Sequence, residues 1–134
     1  MCDQITVLAR LDHRRWIVCC EHETTHLNWD NVSVRVPLAR LQAMGKALGE
    51  CAQVARRFRI AGTDDVCVIF DQYDLYQVWL GGVGLCLSPN EFQLFCQFID
   101  AACDHPMTRA SDQTSTIPLA ESPIRTTYHL FSAN

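Results

Sequence analysis

Cysteine and histidine side chains gather near the start of the chain, as Cys19-Cys20-Glu21-His22 followed by His26. Thiolate sulfur and imidazole nitrogen are the ligands that zinc prefers, and four of them complete a tetrahedral site. The candidate metal ligands are therefore Cys19, Cys20, His22 and His26. Neighbouring residues of a strand point to opposite faces of a sheet, so Cys19 and Cys20 do not readily reach one ion. The alternative is a hairpin turn that carries these residue types without binding a metal, and the sequence predicts no cofactor.

Basic residues form a second candidate site, for single-stranded nucleic acid. They lie in two groups: Arg14 and Arg15, and Arg56, Arg57 and Arg59. If a tryptophan is exposed nearby, arginines can bind phosphates while bases stack on the indole ring. The net charge of −4 counts against this reading, because phosphate contacts supply much of such affinity. The alternative is that the arginines solvate a turn and a helix end.

No catalytic arrangement stands out in the sequence. It contains no GxSxG, HExxH or catalytic-cysteine signature. The acidic run from Asp64 to Asp74 is explained by a surface hairpin. The segment Gly81-Gly82-Val83-Gly84 lies between two predicted strands, where backbone amides do not converge on an anion as they do in a phosphate loop. The sequence therefore predicts that the protein is not an enzyme.

The predicted strands and helices that position these residues occur in the same order in the two halves of the chain. When the chain is aligned with itself at an offset of 51 residues, hydrophobic positions coincide, and Val32 aligns with Val83. The same offset places Asp30-Asn31 on Gly81-Gly82, and both pairs are typical of hairpin turns. The sequence predicts an α+β protein of two pseudo-repeats, each an antiparallel β-meander of three or four strands followed by one helix that covers it. The alternative is chance agreement between two ordinary strand–helix units.

This tandem layout is similar to that of the Whirly and Pur families of single-strand binders. The likeness is one of topology, and it implies single-stranded nucleic acid as a ligand.

The predicted boundaries make one domain of residues 1–104, with repeats at about 5–55 and 56–104. The first helix is expected from Pro37 to about Ala55. The second is expected to begin at the capping box formed by Ser88 and Glu91 and to end at about Cys103. Residues 105–134 are rich in Thr, Ser, Pro and Asp, which predicts a loose linker with a terminal strand at 124–131.

The strands of the second repeat are apolar on both faces. A sheet with one face on its core normally shows polar residues on the other, so something must cover the second face. The residues expected at this interface are Cys67, Ile69, Leu75 and Trp79. We expect a non-catalytic interaction or assembly module, most simply a homodimer anchored by Trp79, with an unidentified protein or the chain's own elements as the alternatives.

Composition supports a single globular domain, since 49% of the 134 residues are hydrophobic and 19% are charged. No apolar run approaches the roughly 18 residues that a membrane span needs, and the start lacks the features of a signal peptide. A cytoplasmic protein without membrane contact is expected, with its eight cysteines reduced. The net charge is +3 for residues 1–60 and −7 for residues 61–134. This asymmetry could support a head-to-tail contact between chains or the binding of an anionic partner, but two solvated surfaces are the favoured interpretation.

Overall fold

Two four-stranded antiparallel sheets and three helices make up the described part of the chain, residues 2–114 of a computed structural model. The first sheet contains, in order, β1 (Ile5–Asp12), β2 (Arg15–Cys20), β3 (Thr24–Trp29) and β4 (Val32–Pro37), and α1 (Leu38–Phe58) follows it. The second sheet contains β5 (Ile60–Gly62), β6 (Val66–Phe70), β7 (Tyr76–Leu80) and β8 (Val83–Leu87), and α2 (Pro89–Asp104) and α3 (Pro106–Thr114) follow it. Each strand pairs with the next one along the chain, so both sheets are meanders. The predicted α+β class and the repeated order of strands and helix are confirmed.

Equivalent hairpins of the two units turn at equivalent residues. Asp30 has a φ of 54° between β3 and β4, and Gly81 has a φ of 64° between β7 and β8. Glycine adopts this left-handed conformation without strain, and aspartate is among the few other residues that tolerate it. The turns predicted at these two positions are therefore present in both units.

Each helix packs mainly against the sheet of the other unit. Helix α1 lies on β5 and β6, whereas α2 lies on β1 and reaches β3. The Trp29 ring of β3 contacts the rings of Phe95 and Phe98 on α2, with centroids 5.1 and 5.7 Å apart. The expectation that each helix covers its own meander is wrong. Only Arg59 separates α1 from β5, so the helix leads directly onto the second sheet, and one core joins both units.

A third helix occupies residues that were expected to form a linker. Helix α3 packs on α1 and α2, and the hydroxyl of the fully buried Thr108 donates a hydrogen bond to the carbonyl of Ala102 over 2.7 Å. Its polar composition favours a loop, but tertiary packing stabilises the helix. The linker prediction is therefore wrong for residues 106–114. The strand predicted at 124–131 lies outside the described residues.

The remaining differences are at element boundaries. Helix α1 runs to Phe58, and Pro37 is the last residue of β4 and the N-cap of α1 rather than part of its first turn. The capping box of α2 is confirmed: the Glu91 amide donates to Ser88 Oγ over 3.2 Å, and the Ser88 amide donates to Glu91 Oε1 over 3.1 Å. Within residues 2–114, no helix has both the length and the apolar character needed to cross a membrane.

Candidate functional site

Both sheets place one face on the shared core and one face away from it. On the core side of the first sheet, Ile17, Leu27 and Val34 pair across three strands. Residues that alternate with core positions point to the opposite side, and none of them belongs to the core cluster. The first outer face consists of Ile5, Val7, Arg10, Trp16, Val18, Cys20, His26, Asn28, Ser33 and Arg35. The second outer face consists of Ile60, Gly62, Cys67, Ile69, Gln77, Trp79, Gly84 and Cys86.

Four ligand-type side chains converge at one end of the first outer face. Nδ1 of His22 lies 3.7 Å from Sγ of both Cys2 and Cys20. Sγ of Cys2, Sγ of Cys20 and a ring nitrogen of His26 lie within 4.8 Å of one another. We call these four residues the thiol–imidazole cluster. Cys19 is 3% exposed and belongs to the core, so its predicted role as a ligand is wrong because strand alternation turns it inward.

Strand pairing brings Cys2 to the cluster. Ile5 pairs with Cys20, so the residues before β1 lie beside the turn that follows β2. The carboxylate of Glu21 accepts hydrogen bonds from the backbone amides of Asp3 and Gln4 over 3.0 and 2.8 Å. These hydrogen bonds lower the pKa of Glu21 to about 2, and the bond from Asp3 has the largest effect. The sequence search missed Cys2, although pairing of the first two predicted strands already places the residue near Cys20.

The electrostatics of the cluster distinguish its two thiols. The neighbouring imidazole of His26, with a ring nitrogen within 4.8 Å of Sγ, is the main reason that the pKa of Cys20 falls to about 6. The pKa of Cys2 is raised, first by the neighbouring Cys20 thiol. Nε2 of His26 is buried and has no hydrogen-bond partner among the described residues. Such an unpaired polar atom costs about 1–3 kcal/mol.

A cavity of about 450 Å³ opens beside the cluster on the first outer face. Cys2 and His26 line one part of it, and the apolar side chains of Val7, Trp16 and Val18 line another. An ion or a small molecule can therefore reach Cys2 and His26 through this cavity.

The second outer face carries no charged residue. Trp79 is 38% exposed, and its ring lies on Gly84, where an added Cβ would approach the ring to 3.0 Å. Ile69 is half-buried on the same face, whereas Cys67 is only 8% exposed. Leu75 is half-buried just before β7. Of the four residues predicted for an interface, Trp79 and Ile69 therefore offer accessible apolar surface on this face.

The first arginine group lies at the turn between β1 and β2. Arg15 stacks on the Trp29 ring at 4.5 Å and pairs with Asp30 at 3.3 Å, while Arg14 is exposed. Trp29 is 2% exposed and packs in the core, so it offers no surface for a stacked base.

The second arginine group lies around the end of α1. Arg56 donates a hydrogen bond to the Tyr76 hydroxyl over 3.0 Å. Arg57 lies over the ring of its neighbour Phe58, and Arg59 lies over the ring of Phe70, at 5.5 and 5.1 Å. The contacts described for residues 2–114 do not join the two groups into one basic surface.

No protein-family model matches this sequence, and neither a curated protein nor a solved structure matches it.

Proposed function

We propose that the protein is a small, non-catalytic assembly module that forms a homodimer through its second outer face. The partner in this proposal is a second copy of the same chain, and the interface is a packing of sheet on sheet. The proposal places the protein in the cytoplasm, where its thiols stay reduced.

The observation that carries this proposal is an apolar outer face without charge. In a two-fold symmetric interface the same patch lies on both subunits, so a charged residue near the axis meets a like charge. The second outer face avoids this repulsion, since its polar members are limited to the neutral Gln77 and the weakly polar thiols. The first outer face carries the charged side chains of Arg10 and Arg35, which makes it a poorer surface for self-pairing.

Trp79 is well placed to anchor such an interface. It lies in the middle of the second sheet on β7, and the Gly84 backbone supports its ring. Tryptophan is enriched among the residues that dominate binding energy, because it buries a large area with few rotatable bonds. Burial of the exposed part of Trp79 and of Ile69 would supply the hydrophobic driving force.

Single-stranded nucleic acid is the weaker proposal. The two arginine groups lie apart in the described contacts, and Trp29 beside the first group is buried.

The test is the mass of the native protein in solution, measured by light scattering over a range of concentrations. We expect a dimer of the 15.2 kDa chain, and we expect Trp79→Asp to yield a folded monomer because it places a carboxylate at the two-fold contact. Trp16→Asp is the matched control, since it introduces the same charge on the first outer face and should leave the dimer intact. A wild-type protein that stays monomeric, or a Trp79→Asp protein that stays dimeric, would contradict the proposal.

A further inference from the structure

We propose that Cys2, Cys20, His22 and His26 bind one zinc ion, in a tetrahedral site at the end of the first outer face. This site is independent of the proposed homodimer, which uses the other sheet.

The distances within the cluster suit zinc. Zinc–sulfur and zinc–nitrogen bonds of about 2.3 and 2.0–2.1 Å at a tetrahedral angle place the two ligand atoms about 3.6 Å apart. Nδ1 of His22 lies 3.7 Å from each of the two sulfurs. A ring nitrogen of His26 lies within 4.8 Å of the same sulfurs, and on zinc binding it becomes the fourth ligand.

The ligand types and their order point to the same ion. Two thiols and two imidazoles form a common structural zinc set, and three residues separate His22 from His26, as in the histidine pair of many such sites. Sulfur ligands disfavour magnesium and calcium, which take oxygen. Glu21 is a poorer fourth ligand than His22, because both of its carboxylate oxygens already accept backbone amides.

His26 supplies an independent reason for a bound cation. Its Nε2 atom is buried without a hydrogen-bond partner in the described structure, and coordination through that atom would provide one. A nucleophilic role for the pair of Cys20 and His26 is less favoured, because Cys20 is 6% exposed and a nucleophile must reach its substrate.

Glu21 acts as a positioning residue in this site. Its carboxylate fixes the backbone of Asp3 and Gln4, and so places the Cys2 thiol beside Cys20. Hydrogen bonds that orient ligands typically change metal affinity by about 10–100-fold when they are removed.

The test is a competition titration of chelator-stripped, reduced protein with zinc against a chromophoric chelator. We expect one zinc ion per chain, and a loss of at least about a hundredfold in affinity in Cys2→Ser, Cys20→Ser and His26→Ala, which each remove a ligand. Cys86→Ser, on the second outer face, and Cys19→Ala should bind as the wild type does. Glu21→Ala should bind about tenfold more weakly while keeping the one-to-one stoichiometry.

X-ray absorption of the zinc-loaded wild-type protein tests the ligands without any substitution. Two sulfurs at about 2.3 Å and two nitrogens at about 2.0–2.1 Å are expected. A shell of oxygen and nitrogen alone, the absence of stoichiometric binding, or a Cys20→Ser protein that binds as tightly as the wild type would overturn the zinc site. Light scattering of the stripped protein keeps the two proposals separate, because the dimer is expected with or without zinc.

Discussion

The outer faces of the two sheets share a strand register but differ in chemistry. One pair of equivalent rows is Trp16, Asn28 and Ser33 in the first sheet and Cys67, Trp79 and Gly84 in the second. Each row contains one tryptophan, but on a different strand. The next rows are Val18, His26 and Arg35 in the first sheet and Ile69, Gln77 and Cys86 in the second. The core positions of the repeat keep their apolar character, whereas the outer positions differ, so the two faces are the places where the units can take separate functions.

Metal removal should give the largest difference between the two faces. A ligand at about 1,000 times its dissociation constant stabilises the folded state by about 4 kcal/mol, and a chelator removes that contribution. We expect the urea midpoint of the wild-type protein to fall on chelation, and zinc to restore it. Trp79→Asp should show the same response to chelator, while Cys20→Ser should show none. An equal response in Cys20→Ser would mean that the stabilising ion lies elsewhere.

Gly84→Ala should have an intermediate effect that is confined to the second outer face. The new Cβ lies about 3.0 Å from the Trp79 ring, so the indole must shift from its position on β8. We expect the dissociation constant of the homodimer to rise about tenfold, equivalent to about 1.4 kcal/mol. Sedimentation velocity over a dilution series measures this change. Gly82→Ala is the matched control, because an added Cβ there contacts nothing within 4 Å.

Ser88→Ala should have the smallest effect and should change neither face. It removes the side-chain acceptor for the Glu91 amide at the start of α2, a loss of about 1 kcal/mol in the free energy of unfolding. The urea midpoint should fall while zinc stoichiometry and dimer mass stay as in the wild type. A change in zinc stoichiometry or in dimer mass would show that the start of α2 affects the outer faces.

Local features of the fold could be predicted from the sequence. The turns at Asp30 and Gly81 and the capping box at Ser88 depend on residues close together in the chain, and the alternation of apolar residues marks the strands. The sheet covered by each helix could not be predicted in this way. The apolar stripe of α1 shows that the helix is buried, but it is equally suited to either sheet.

The candidate sites show the same limit. His22, His26 and Cys20 were identified because they are close in the sequence. Cys2 is 18 residues from Cys20, and it joins them only through the pairing of β1 with β2 and the hydrogen bonds to Glu21. Whether an outer face is covered also depends on the whole fold, so the exposure of Trp79 could not be read from its own strand.

The packing of each helix on the other unit's sheet has a consequence for the origin of the chain. A gene that encoded one unit alone would leave the apolar stripe of its helix and the inner face of its meander without their present partners. Two such single-unit chains could bury both apolar surfaces by exchanging helices across a two-fold axis, as in domain swapping. Joining their genes would fix that exchange within one polypeptide, in which Arg59 alone separates the end of α1 from the start of β5.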